Sequence, residues 1–126
     1  MKRFVAALLV LTAVGGAAFP AATQSQRELN AAAAADFDKA DRRLNDVYKA
    51  LMAKISSNGQ GRLREAQVTW LRFREQECIF ETMGTEGGSI HGMMVTMCRT
   101  RLTAQRVKDL EHQLDCREGD VSCGGQ

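Results

Sequence analysis

From Leu29 onward, apolar residues return every three or four positions: Leu29, Ala33, Phe37, Ala40, Leu44, Val47, Leu51 and Ile55. Charged residues, among them Asp36, Asp38, Lys39, Asp41, Arg42, Arg43 and Lys49, occupy positions between them. An α-helix turns once in about 3.6 residues, so this spacing places one apolar stripe along one helix. Ahead of it, Ser25-Gln26-Arg27-Glu28 has the S-x-x-E form of a capping box, in which serine and glutamate each satisfy an amide left open at the helix start. The alanine run at 31–35 extends the helix, because alanine is the strongest helix former. At a rise of about 1.5 Å per residue, positions 29–55 span about 40 Å. Ser56-Ser57-Asn58-Gly59-Gln60-Gly61 is dense in turn formers and reads as a short turn.

A second helix is predicted over about 62–82. Leu63, Ala66, Trp70, Phe73 and Glu77 fall on one side of it, flanked by Val68, Leu71 and Cys78, and Gly84 and Gly87-Gly88 end it. A third stripe comprises Met94, Met97, Cys98, Leu102, Val107, Leu110 and Leu114, on a helix that starts between Ser89 and Met97. From 115 onward the chain is polar and glycine-rich, too short for an element of its own. No stretch alternates long enough for a strand. Three amphipathic helices joined by short turns bury their stripes against one another, which predicts an all-α, antiparallel three-helix bundle. The competing architecture pairs the long first helix with a second copy as a coiled coil.

The N-terminus stands outside this pattern. Lys2 and Arg3 precede eleven residues, 4–14, all apolar except Thr12, and Gly15-Gly16-Ala17-Ala18 then supplies small residues. That is the layout of a secretory signal, with cleavage expected after Ala18. The chain is therefore divided into a signal at 1–18, a helical domain at 19–114 and a cysteine-bearing tail at 115–126. A retained anchor is the competing reading, but Gly15, Gly16 and Pro20 interrupt the run. A spanning helix needs about 20 predominantly apolar residues. No cysteine lies near the cleavage region to carry a lipid, so no membrane attachment is expected after cleavage.

Cleavage changes the charge balance. The whole chain has 17 Lys and Arg against 15 Asp and Glu, and losing Lys2 and Arg3 leaves 15 against 15. A balanced chain has no surplus with which to hold nucleic acid or an anionic membrane. All four cysteines, Cys78, Cys98, Cys116 and Cys123, lie beyond the signal. In a short exported chain, periplasmic or secreted, that count reads as two disulfides with three alternative pairings. Antiparallel neighbours bring the end of helix two against the start of helix three, so Cys78 with Cys98 is the natural staple across the loop between them. Cys116 and Cys123 then close the tail by elimination.

The middle of the chain carries a motif, L-R-x-A-Q-x-x-W-x-x-F-R-x-x-x-C, from Leu63 to Cys78. Gly87-Gly88-Ser89 follows it, and then Cys98-x4-Thr103-x2-Arg106. Over roughly 26–114 the sequence resembles the family once called DUF1311 and now named for its LprI-like lysozyme inhibitor domain. The resemblance implies an exported helical domain, a Cys78–Cys98 bridge, and binding to a lysozyme as a protein partner. It differs from the lipoprotein that gave the family its name in having no lipobox cysteine. Gln67, Trp70, Phe73, Arg74, Thr103 and Arg106 are the motif positions, expected to act structurally.

Helical spacing assigns Trp70 and Phe73 to core packing, the rival reading being a binding platform with Tyr48. Arg74 and Arg106 sit beside apolar positions on neighbouring helices. Their forked guanidinium groups suit an internal clamp, with Glu77 or Glu81 as the expected partner. For catalysis there is little: His91 and His112 are the only histidines, and paired cysteines leave no thiolate. No H-E-x-x-H, phosphate-binding glycine loop or C-x-x-C occurs, and no cofactor is called for. The sequence therefore points to a binding protein, not an enzyme. Two loops, 57–61 and 84–92, are candidate lysozyme contacts. In the second, Glu86, Ser89 and His91 are the candidate residues, with Glu75 and Glu81 as further acids for a basic rim. Copper binding is the rival function, because His91, Met93, Met94 and Met97 offer an imidazole and soft thioethers, with Met83 as a further sulfur. Core packing is the plainer reading of Met94 and Met97. A structural or stress role in the envelope is the third alternative.

Overall fold

The computed structural model describes residues 24–117 and 119–124, so the expected signal at 1–18 lies outside them. Among the described residues, three long helices make up the fold: α1 (Gln26–Lys54), α2 (Ser57–Glu81) and α3 (His91–Leu114). A short 3-10 helix, Met83–Thr85, lies between α2 and α3. No strand occurs among the described residues, and the expected all-α bundle is the one found.

The capping box at the start of α1 forms as its sequence implies. Ser25 Oγ accepts from Glu28 N–H at 3.3 Å, and Ser25 N–H donates to Glu28 Oε2 at 2.7 Å. Donation to the carboxylate from Ser25 N–H, and from Ser25 Oγ at 3.0 Å, holds the Glu28 pKa below its ordinary value. On the inner face, Ala33, Leu44, Val47 and Leu51 are buried, followed by Ile55 at the cap, as the stripe predicts.

α3 returns beside α1 in the same direction. Gln26 meets Met93 at one end, and at the other Lys54 Nζ donates to Leu114 O at 2.5 Å. A cation at those carbonyls also opposes the negative end of the α3 dipole. Leu44, Val47, Leu51 and Ile55 of the α1 side bury against Val107 and Leu110 of α3, with Tyr48, Met52, Leu63, Trp70 and Leu114 packed around them. Because α3 of the same chain covers the α1 stripe, that stripe is not available for a coiled coil with a second copy. One expectation for α3 fails: Met97 is 51% exposed, outside the packed face.

α2 runs antiparallel to both, and its buried residues are Gly59, Arg74 and Cys78, none of them a large apolar side chain. The stretch 57–61, expected as a turn and a candidate contact loop, is instead the first turn of α2. The corner shrinks to Ile55 and Ser56, both in extended conformations. Ser56 caps α2 by accepting from Gly59 N–H at 3.2 Å. Gln60 Nε2 reaches back to Met52 O at 2.9 Å, satisfying a carbonyl at the end of α1. Capping chemistry at both helix ends overrides the turn propensity of the glycines.

Cys78 joins Cys98 across the ends of α2 and α3, with the Cα atoms 5.6 Å apart and both residues buried. Cys116 joins Cys123 in the tail. Gln113 holds that tail against α3: its Nε2 donates to Ser122 O at 3.2 Å, and its Oε1 accepts from Gly124 N–H at 2.7 Å.

Two outcomes follow from this packing. Replacing Cys78 and Cys98 together by serine lowers unfolding free energy by about 3 kcal/mol in the chain-entropy model, measurable by urea denaturation. For Glu28, a carboxyl pKa lowered in the folded state contributes stability above the unfolded value and loses it as pH falls through the folded one. The first turn of α1 therefore loosens as pH falls through the lowered pKa of Glu28. Amide hydrogen exchange at Glu28 and Leu29 should show this, and Glu28→Gln should remove the acid dependence.

Candidate functional site: an arginine seam and an end loop

Helical geometry explains which α2 residues turn inward. Positions 67, 70, 74 and 78 recur at three or four, so they share one face, and that face meets α1 and α3. Arg74 is buried there. Its Nη1 donates to Thr103 Oγ1 at 3.0 Å and to Asp41 Oδ1 at 3.4 Å, and its Nε to Glu75 Oε1 at 3.2 Å. The guanidinium carbon also lies 5.2 Å from the Phe37 ring centroid and 5.3 Å from that of Trp70, within range of cation–π attraction. Glu75 Oε2 takes a second arginine, Arg99.

Arg106 approaches Trp70 from α3, with its guanidinium carbon 5.8 Å from the ring centroid. Its Nε donates to Gln67 Oε1 at 3.1 Å. Burial lowers the Arg106 pKa and Asp109 opposes that shift; a guanidinium stays charged throughout. Five of the six motif residues, Gln67, Trp70, Arg74, Thr103 and Arg106, thus converge on one seam. The arginines do form an internal clamp, but their partners are Asp41, Glu75, Thr103 and Gln67 in place of the expected Glu77 or Glu81. Glu81 pairs with Arg101 instead. Phe73 is the sixth, and it is 50% exposed. It follows the helix about 100° short of Arg74, and the inward positions at that level are filled by Trp70 and Arg74.

The second group is the loop at 84–92. Thr82 is buried and its Oγ1 donates to Cys78 O at 2.6 Å. Thr85 Oγ1 donates to Thr82 O at 2.8 Å and contacts His91 Nδ1 at 2.9 Å. The hydroxyl proton is engaged by the carbonyl, so His91 Nδ1 must be the donor in that contact. His91 therefore braces the loop, while Glu86 and Ser89 are exposed. Gly87 takes φ +75°, a left-handed conformation that glycine adopts without a Cβ clash. Of the three acids expected to meet a basic rim, Glu75 and Glu81 are held in ion pairs, which leaves Glu86.

The soft-ligand set is divided among three settings. His91 is held by Thr85, Met93 Sδ accepts from Gln26 Nε2 at 3.9 Å, and Met94 and Met97 line a cleft with Glu81, Thr82 and Arg101. Cys116, Asp120 and Cys123 bring ligand-type atoms within 4.8 Å of one another. Both sulfurs are committed to a disulfide there, so no thiolate is available to a metal. Sequence reasoning missed the exposure of Phe80, Met83 and Ile90 beside the loop. For Phe80 the available signal was its position outside the inner face of α2 set by Gln67, Trp70, Arg74 and Cys78; Met83 and Ile90 lie beyond α2, where no helical face applies.

The family model described as lysozyme inhibitor LprI matches residues 18–110. That span takes in α1, α2 and the Cys78–Cys98 bridge and stops before the tail disulfide. An uncharacterized protein of Rhizobium meliloti (strain 1021) is 27% identical over 107 residues, covering 75% of this chain and 77% of that protein. No solved structure gives a significant match.

The seam makes a direct prediction. Thr103→Val keeps the side-chain shape but removes an acceptor from a buried cation, and should cost about 1.5–3 kcal/mol in denaturant unfolding. Arg74→Lys should not be neutral, because one ammonium cannot serve Thr103, Asp41 and Glu75 together.

Proposed function

The chain belongs to the lysozyme inhibitor LprI family, and on that footing we propose that it is an exported protein that binds a lysozyme and blocks it without catalysis. The observation that carries this reading is the extent of the family match, residues 18–110, which spans nearly the whole helical unit. Two disulfides suit an oxidising compartment. No helix among the described residues is long and apolar enough to cross a membrane. The catalytic alternative gains no support from the site. The arginines of the seam are engaged in a clamp, and all four cysteines are paired.

For the contact we take the loop at 84–92. It is pinned near both ends by the Cys78–Cys98 bridge, and Thr82, Thr85 and His91 hold its path. A preformed loop loses less conformational freedom on binding than a floppy one. Lysozymes act through two carboxyl groups in an open cleft, and a projecting, rigid end is the shape that occludes such a cleft.

Clearing of cell-wall suspensions by chicken-type, goose-type and invertebrate-type lysozymes, with and without the mature protein, tests the proposal. Inhibition of at least one type at micromolar protein is expected. Undiminished clearing by all three would reject it.

A further inference from the structure

At the end of the molecule where α2 gives way to α3, large apolar side chains stand in solvent. Phe80 is 68% exposed, Met83 57%, Ile79 53% and Ile90 41%. Phe73, one heptad before Phe80, is half exposed, and Met97 borders the cleft that Glu81 and Thr82 also line. None of these residues belongs to the packed core. Single exposed apolar residues are ordinary, but a group of them rimmed by polar residues marks a contact surface. The frame beneath is fixed by the buried Cys78–Cys98 bridge and by the Thr82, Thr85 and His91 hydrogen bonds.

Charge decides what covers this surface. From Glu75 to Cys98 the sequence has four glutamates and no lysine or arginine. Arg99 and Arg101 neutralise Glu75 and Glu81. Glu77 and Glu86 form no ion pair among the described residues. Glu77 lies between Phe73 and Phe80 at helical spacing, and Glu86 follows Met83 by three residues. A second copy docked symmetrically here would bring these acids into one contact, where exclusion of water strengthens repulsion. A basic surface gains from the same arrangement.

We propose that this end of the bundle is the docking surface for a basic protein. Phe80 and Met83 enter an apolar recess of the partner, and Glu77 and Glu86 pair with lysine or arginine at its rim. The inference rests on the lysozyme reading for the identity of that protein. It goes beyond that reading by placing the contact on apolar side chains beside the loop, in addition to its polar crest. Aromatic and methionine anchors on a rigid frame commonly dominate such contacts, with charges at the edge governing the rate of association.

The test measures binding of the mature protein to immobilised lysozymes and, in parallel, to ribonuclease A and cytochrome c as basic proteins of other kinds. Phe80→Ala and Met83→Ala should each weaken lysozyme binding at least tenfold. Glu86→Lys should slow association and reduce its dependence on salt. Val68→Ala, at an exposed position of α2 away from this end, should bind as the wild type does, with circular dichroism confirming every fold. Lysozyme binding untouched by Phe80→Ala and Met83→Ala would overturn the inference and leave the lysozyme reading standing. Binding confined to another basic protein, and lost in those two variants, would uphold the surface and reject lysozyme as the partner. No binding to any of them, or self-association abolished by Phe80→Ala, would overturn the inference.

Discussion

A guanidinium keeps its charge wherever the chain puts it, so burying Arg74 obliges the surroundings to supply compensation. They do so from all three helices. Phe37 and Asp41 come from α1, Trp70 and Glu75 from α2 itself, and Thr103 from α3. Asp41 and Glu75 remain partly exposed, which spares the fold the full penalty of burying the carboxylates. The arrangement has directional requirements that an apolar contact lacks. It fixes the rotation and height of α2 against the other two helices.

That constraint accounts for the unequal packing of the bundle. α1 and α3 share an aliphatic core of Leu44, Val47, Leu51, Val107 and Leu110. α2 is held differently: by the Arg74 seam at mid-length, by the disulfide near its end, and by the capped Ile55–Ser56 corner at its start. Since the seam fills its inward face, the aromatic and aliphatic residues elsewhere on α2 stay outside. Phe73, Ile79 and Phe80 are exposed for that reason. The stability of the clamp and the availability of a contact surface are thus two results of one side-chain placement.

Much of the architecture could be read from the sequence. The α1 stripe, the Ser25–Glu28 box and the Cys78–Cys98 staple were legible because each is a local pattern or follows from helix order. The start of α2 was not, because Gly59 and Gly61 have strong turn propensity while the cap at Ser56 and the Gln60 bond to Met52 O depend on where α1 stops. Phe73 was misassigned to the core for a related reason. Its spacing from Trp70 permits either side of the inner face, and only the burial of a charged neighbour decides between them. The partners of Arg74 lie 33 residues away at Asp41 and 29 away at Thr103, distances no local pattern reports. Membership of the family was legible from the same motif, and the structure gives that motif its physical content as a seam.

The division of labour between seam and end surface is the central claim, and native-state amide hydrogen exchange tests it directly. Arg74→Met removes the charge and its hydrogen bonds while retaining bulk. If the seam holds α2, the mid-length amides of α2 should lose protection in this variant while those of α1 and α3 around Leu44, Val47 and Val107 retain it. Unchanged α2 protection, or an equal loss through all three helices, would contradict the account.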